Sequence, residues 1–91
     1  YRKPLIVFTP KSLLRNTDAV SKIKDFTEGN FEALIPDKLV LPKGAKVLVF
    51  CSGKFYYDLL KARDLKERMD VAIVRIEQIF PLPTEKILNQ L

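Results

Sequence analysis

Lys46-Val47-Leu48-Val49-Phe50-Cys51-Ser52-Gly53-Lys54-Phe55 is the stretch on which the reading of this chain turns. After Lys46 the first six residues are uncharged and rich in β-formers, and they do not alternate. That is the pattern of a strand buried on both faces, as in a parallel sheet. Ser52-Gly53 then supplies a tight turn, with Ser52 placed to cap a following helix. Phe55, Leu59, Ala62, Leu65 and Met69 recur at i, i+4, i+7, i+10 and i+14, an apolar helical stripe. Lys61, Asp64 and Arg68 lie off it, and Asp64 precedes Arg68 by four, the favourable order for a helical ion pair. Asp70 ends the helix, and Val71-Ala72-Ile73-Val74-Arg75-Ile76 is a second buried run. Strand, helix and strand within residues 46–76 predict a right-handed βαβ unit with parallel strands.

On the N-terminal side, Leu5-Ile6-Val7-Phe8 reads as a further buried strand. Thr9 as cap and Pro10 at the first position predict a short helical turn over 11–15. Thr17 or Asp18 is the next cap, followed by Ala19, Val20, Ile23 and Phe26 at helical spacing, and Gly29-Asn30 stops that helix. Residues 31–35 read as a short strand and 36–44 as a loop. On the C-terminal side, Pro81-Leu82-Pro83 makes a rigid turn, and Thr84 or a neighbour starts a last helix that reads as cut off at Leu91.

Composition bounds the function. The 91 residues are enough for one small domain, 47% of them are apolar, and the mean hydropathy is close to zero, which argues against disorder. No apolar run approaches the roughly 18–20 residues of a membrane span. The chain starts at Tyr1 without Met and reads as a piece of something longer. There is no His and one Cys, so a Cys/His zinc site, an intrachain disulfide and Ser-His-Asp or Cys-His catalysis are excluded within the chain. Sixteen basic against 11 acidic residues leave a charge of +5, compatible with nucleic acid, an acidic partner or a phosphorylated ligand without choosing between them. Aromatic and basic residues do not interleave on one strand, which speaks against a nucleic-acid stacking platform.

Ligands of open parallel sheets bind beyond the carboxyl ends of the strands. Thr9-Pro10-Lys11, Ser52-Gly53-Lys54 and Glu77-Gln78 reach that edge. Ser52, Gly53 and Lys54 offer backbone N–H groups at a helix N-terminus beside a cation, an anion-site geometry without the spacing of a Walker A loop. An ordinary capped strand–helix turn is the competing reading. Arg75 and Glu77 share a strand face and would line a polar crevice or a subunit contact, or pair with groups nearby. Cys51 reads as a small buried hydrophobe.

Three segments carry a family resemblance. Arg2-Lys3-Pro4-Leu5-Ile6-Val7-Phe8-Thr9-Pro10-Lys11-Ser12-Leu13-Leu14-Arg15 resembles the opening of the C-terminal domain of the 2-oxoglutarate dehydrogenase first component, E1. Cys51-Ser52-Gly53-Lys54-Phe55-Tyr56-Tyr57-Asp58-Leu59 resembles that domain's CSGKVYYDL turn and helix. Asp70 to Gln78, with Pro81-Leu82-Pro83, resembles its third strand and exit turn. The fold implied is a three-layer α/β/α, transketolase C-terminal-like domain with a mainly parallel sheet, truncated here to about its first half. The parent function implied is thiamine-diphosphate- and Mg²⁺-dependent decarboxylation of 2-oxoglutarate and succinylation of the lipoyl group of the second component, dihydrolipoyl succinyltransferase (E2), in the tricarboxylic acid cycle. The resemblance also implies a bacterial, cytoplasmic setting and homodimerisation through this domain. It places the thiamine, metal and substrate residues in earlier domains, so the isolated chain is expected to be inactive. Some members bind acetyl-CoA here, and the resemblance puts Gln78 and Lys86 near that ligand, though Asn30, Thr84 and Glu85 stand where those members are basic. Asn16-Thr17 replaces a His-Pro common in the family. The candidate anion or allosteric-ligand residues are therefore Lys11, Ser52, Gly53, Lys54, Gln78 and Lys86. The competing expectation is a stand-alone, flavodoxin-like module that binds an anion or nucleotide or serves as an interaction domain.

Overall fold

Val71–Ile76 is the strand around which the chain is built (β3), and its residues Ala72, Ile73 and Val74 form most of the buried apolar core. The computed structural model describes residues 2–91. Val47–Cys51 (β2) pairs with β3 in parallel, Val47 opposite Val71 and Cys51 opposite Arg75. Leu34–Ile35 (β1) pairs with the other side of β3 in the antiparallel sense, Leu34 opposite Ile76. The sheet order is β1-β3-β2. Three helices complete the unit: Ile23–Thr27 (α1), Phe55–Leu65 (α2) and Thr84–Leu88 (α3), with short 3-10 turns at Lys11–Arg15 and Pro42–Gly44. It is a small mixed α/β domain in which α2 packs on β3.

The two parallel strands lie within a residue of where the sequence reading put them, at 47–51 and 71–76. Elsewhere the structure departs from that reading: β1 covers only Leu34–Ile35 of the expected 31–35, α3 ends at Leu88, and four further differences follow.

The run 5–8 joins no sheet. Leu5 is 86% and Phe8 96% exposed, and residues 2–10 form no regular element. Strand propensity describes fitness for a pleated, half-buried surface, and this run has neither a neighbouring strand nor cover. The sheet is accordingly mixed, with five parallel residue pairs between β2 and β3 and two antiparallel ones between β1 and β3.

The helix expected from Thr17 or Asp18 starts only at Ile23. The Asn16 side-chain oxygen accepts the Asp18 N–H at 2.9 Å and the Asn16 carbonyl accepts the Ala19 N–H at 3.1 Å, a local turn that competes with helix. Lys22, in extended conformation, is the N-cap, and its N–H donates to Asp25 Oδ2 at 3.0 Å. Gly29 does sit where the stop was expected. A Cβ there would lie 2.3 Å from the Asp25 carbonyl oxygen.

Neither expected hydroxyl cap forms. Pro10 precedes the first 3-10 turn without a side-chain bond, and Lys54, in helical conformation, is the N-cap of α2.

The expected stripe on α2 is not its buried face. Phe55, Leu65 and Met69 are exposed, whereas Tyr56, Leu60 and Arg63 turn inward and Arg63 is buried. The helix ends at Leu65, with Glu67 in the left-handed region at φ 49°. Past that break Arg68 cannot reach back along a helix to Asp64. It pairs instead with Asp70, at 2.8 and 3.1 Å.

Candidate functional site

Because β2 and β3 run parallel, the segments that follow them emerge at one edge of the sheet. Ser52-Gly53-Lys54 leaves β2 there, and Glu77-Gln78 leaves β3. Gly53 adopts φ 64°, the left-handed conformation that reverses the chain between strand and helix and that glycine takes without steric penalty. The turn then closes through the Tyr56 N–H to the Gly53 carbonyl at 3.2 Å and the Tyr57 N–H to the Lys54 carbonyl at 3.1 Å. Ser52 and Lys54 are exposed.

The six residues singled out from sequence are only partly gathered. Ser52, Gly53 and Lys54 are contiguous at that edge, and Gln78 is at the same edge. The Gln78 Nε2, however, donates to the Pro81 carbonyl at 2.7 Å, committed to the exit turn. Lys11 lies on the first 3-10 turn and Lys86 on α3, both exposed.

A concavity lies next to that edge. An open groove of about 850 Å³ runs between the 18–32 segment, β1, the first turns of α2 and the end of β3. None of the six candidates lines it. Arg75 and Glu77 do, and they pair with each other at 3.8 Å. The Arg75 guanidinium also stacks on the Tyr56 ring, 4.2 Å from its centroid, and Tyr56 meets Tyr57 edge-on at 5.1 Å. Burial pushes the Tyr56 hydroxyl above its ordinary pKa, and it does the same to the Cys51 thiol on β2, opposite Arg75. Cys51 itself is half-buried.

The strongest polar feature was not foreseen. Asp37, in the loop after β1, and Arg63 on α2 form an ion pair with both side chains almost fully enclosed, at 4% and 3% exposure. Asp37 Oδ1 accepts the N–H groups of Leu39 at 2.9 Å and Val40 at 3.1 Å, and Oδ2 accepts that of Ile73 at 2.8 Å besides bonding Arg63 Nη1. Arg63 Nη1 also donates to the Val71 carbonyl at 3.2 Å. Burial by itself raises the Asp37 pKa, but the bonds from Ile73, Val40, Leu39 and Arg63 outweigh it and the carboxyl stays ionised below its usual range. The signal available in sequence was positional. Tyr56, Leu60 and Arg63 fall at i, i+4 and i+7, so a face centred on Tyr56 carries Arg63 inward.

Among the described residues no three of His, Cys, Asp and Glu converge on a metal position. No helix among them is long and apolar enough to cross a membrane.

Fold and edge together define a small mixed α/β unit with a glycine turn and an open groove at the carboxyl end of a parallel strand pair. The family model described as "2-oxoglutarate dehydrogenase C-terminal" matches residues 20–91, and the chain belongs to that family. The 2-oxoglutarate dehydrogenase E1 component of Cupriavidus necator is 47% identical over the whole chain, which covers 10% of that protein. The E1 component of Azotobacter vinelandii is 51% identical over 94% of the chain, covering 9% of that protein. The multifunctional 2-oxoglutarate metabolism enzyme of Mycobacterium sp. strain JLS is 45% identical over 99% of the chain, covering 8%. The chain thus spans about a tenth of the length of these relatives.

Proposed function

We propose that the chain is an assembly segment of a 2-oxoglutarate dehydrogenase E1 protein. It is the opening part of a transketolase-like, three-layer C-terminal domain, and its surfaces are completed by the rest of the parent and by a second subunit. Decarboxylation on thiamine diphosphate and succinyl transfer to the lipoyl group of E2 belong to the parent, in the bacterial cytoplasm. The carrying observation is surface area. The chain exposes 8194 Å² where a folded monomer of its mass exposes roughly 5,400 Å². A surplus of that size exceeds a standard protein–protein interface. Antibodies raised against this chain should detect a protein about ten times its 10.5 kDa, and the captured protein should release CO₂ from 2-oxoglutarate when supplied with thiamine diphosphate and Mg²⁺. The 91-residue chain alone should not. A 10.5 kDa band as the sole product in cells overturns the reading.

A regulatory role is the second reading, favoured by the exposed, left-handed turn at Ser52-Gly53-Lys54. Inorganic phosphate or a CoA-type ligand would sit on the N–H groups of Gly53 and Lys54 and on the Lys54 ammonium. Bound ligand raises the melting temperature by mass action, and Lys54→Ala removes the rise. A melting temperature unmoved by millimolar ligand leaves an ordinary turn.

A further inference from the structure

Arg63, Arg68 and Arg75 lie on α2, on β3 and in the turn between them, and two of the three hydrogen-bond a carboxylate. Arg63 donates to Asp37, and Arg68 donates to Asp70. The Arg75 guanidinium donates to no acceptor among the described residues. Its side chain is 21% exposed, its Nε is enclosed without a partner, and Nη1 stands 3.8 Å from Glu77 Oε1, beyond hydrogen-bond reach. Packing holds the group instead, because the guanidinium lies over the Tyr56 ring. Its backbone is fixed on both sides, paired with Ile35 of β1 and Cys51 of β2. A guanidinium launched from the central strand, oriented by a ring face and left without an acceptor, has its Nη donors free for one.

Glu77 lines the same groove two residues on, and its carboxylate likewise accepts no hydrogen bond among the described residues. The lining decides the charge of the occupant. A simple anion meets Glu77 beside Arg75, with Asp18, Asp25 and Glu32 on the walls. A simple cation meets Arg75 and Lys38 and leaves the guanidinium without an acceptor. A zwitterion with both charges on one carbon answers both groups. We propose that the groove binds a free α-amino acid with a large apolar side chain. Its carboxylate accepts hydrogen bonds from the Arg75 Nη groups, and its ammonium donates to the Glu77 carboxylate. The two protein groups stand 3.8 Å apart, close enough to engage adjacent charges of one small molecule. The ligand's side chain covers Phe26 and Phe31, which line the groove and are 78% and 73% exposed. A groove of about 850 Å³ is within the size range of small-molecule sites. The site draws on nothing in the E1 reading.

Equilibrium dialysis of radiolabelled L-phenylalanine against the intact protein that carries this chain should show saturable binding at millimolar concentration or below. Arg75→Gln and Glu77→Gln should each weaken it by about tenfold or more, the loss of a charge-assisted bond. Arg75→Lys keeps the charge but not the planar fork, and should weaken it too. Unlabelled L-leucine should compete. N-acetyl-phenylalanine, which lacks the ammonium, and phenylalaninamide, which lacks the carboxylate, should not. These two competitors test the need for both charges on the unaltered protein, whether or not a variant folds. Equal competition by N-acetyl-phenylalanine overturns the amino-acid assignment and leaves a plain carboxylate site. Equal competition by phenylalaninamide overturns it in favour of a cation held by the acidic walls. The absence of saturable binding, or binding indifferent to both Arg75→Gln and Glu77→Gln, overturns the site altogether. None of these results touches the E1 reading, which is tested by protein size and CO₂ release.

Discussion

Asp37 is the residue on which most of the fold's polar order depends. One carboxylate satisfies three backbone N–H groups and a buried guanidinium, and so ties the 37–40 loop to α2 and β3. Removing it leaves Arg63 charged and enclosed, a change that costs about 3–5 kcal/mol. Arg63→Met should cost less, because the Asp37 carboxylate keeps its three N–H partners. Urea denaturation of Asp37→Ala and Arg63→Met checks the order, and equal effects would mean that the ion pair, and not the N–H cage, is what matters. The pH dependence has a definite sign. The folded-state pKa of Asp37 lies below its ordinary value, so its contribution is complete above the ordinary carboxylate range and is lost as pH falls through the folded value. Melting temperature measured downward from neutral pH should fall in that acid range, and Asp37→Ala should flatten the slope.

At the scale of elements, the strand–helix turn shows what can and cannot be read from sequence. Gly53 in the left-handed region has open space where a Cβ would go, so Gly53→Ala isolates the backbone penalty, about 1 kcal/mol. Gly44 has equally open space and no left-handed φ, so Gly44→Ala should be neutral or slightly stabilising. Urea melts of the pair separate conformation from packing. β2, α2 and β3 were legible because a local pattern specified each: an apolar run, a glycine turn, helical spacing, a second run. Leu5-Ile6-Val7-Phe8 has the same local pattern as β3 and is not a strand, since pairing is a property of neighbours that no local pattern records. The buried face of α2 was misjudged for a related reason. Spacing admits two stripes there, and choosing between them required knowing that Asp37, 26 residues upstream, would neutralise Arg63. The candidate anion turn lies where the sequence placed it, but Arg75, Glu77 and Tyr56 gather into a groove beside it because of tertiary packing around the end of β3.

At the scale of the whole molecule the chain is more extended than its length requires. Its radius of gyration is 14.9 Å, against roughly 12 Å for a compact domain of 91 residues. The N-terminal run contributes to this, with Leu5, Ile6, Val7 and Phe8 between 64% and 96% exposed. Exposed residues remote from any buried contact change stability by no more than about 0.5 kcal/mol when replaced. The combined variant Leu5→Ser, Ile6→Thr, Val7→Thr, Phe8→Ser should therefore unfold at an unchanged urea midpoint, while binding less of a dye that reports exposed apolar surface. The two readouts move apart only if the run is both unpacked and apolar. A packed run would lower the midpoint on substitution, by about 2 kcal/mol or more for the loss of several buried side chains. That result would place the 5–8 run inside the core of this chain, where the sequence first put it.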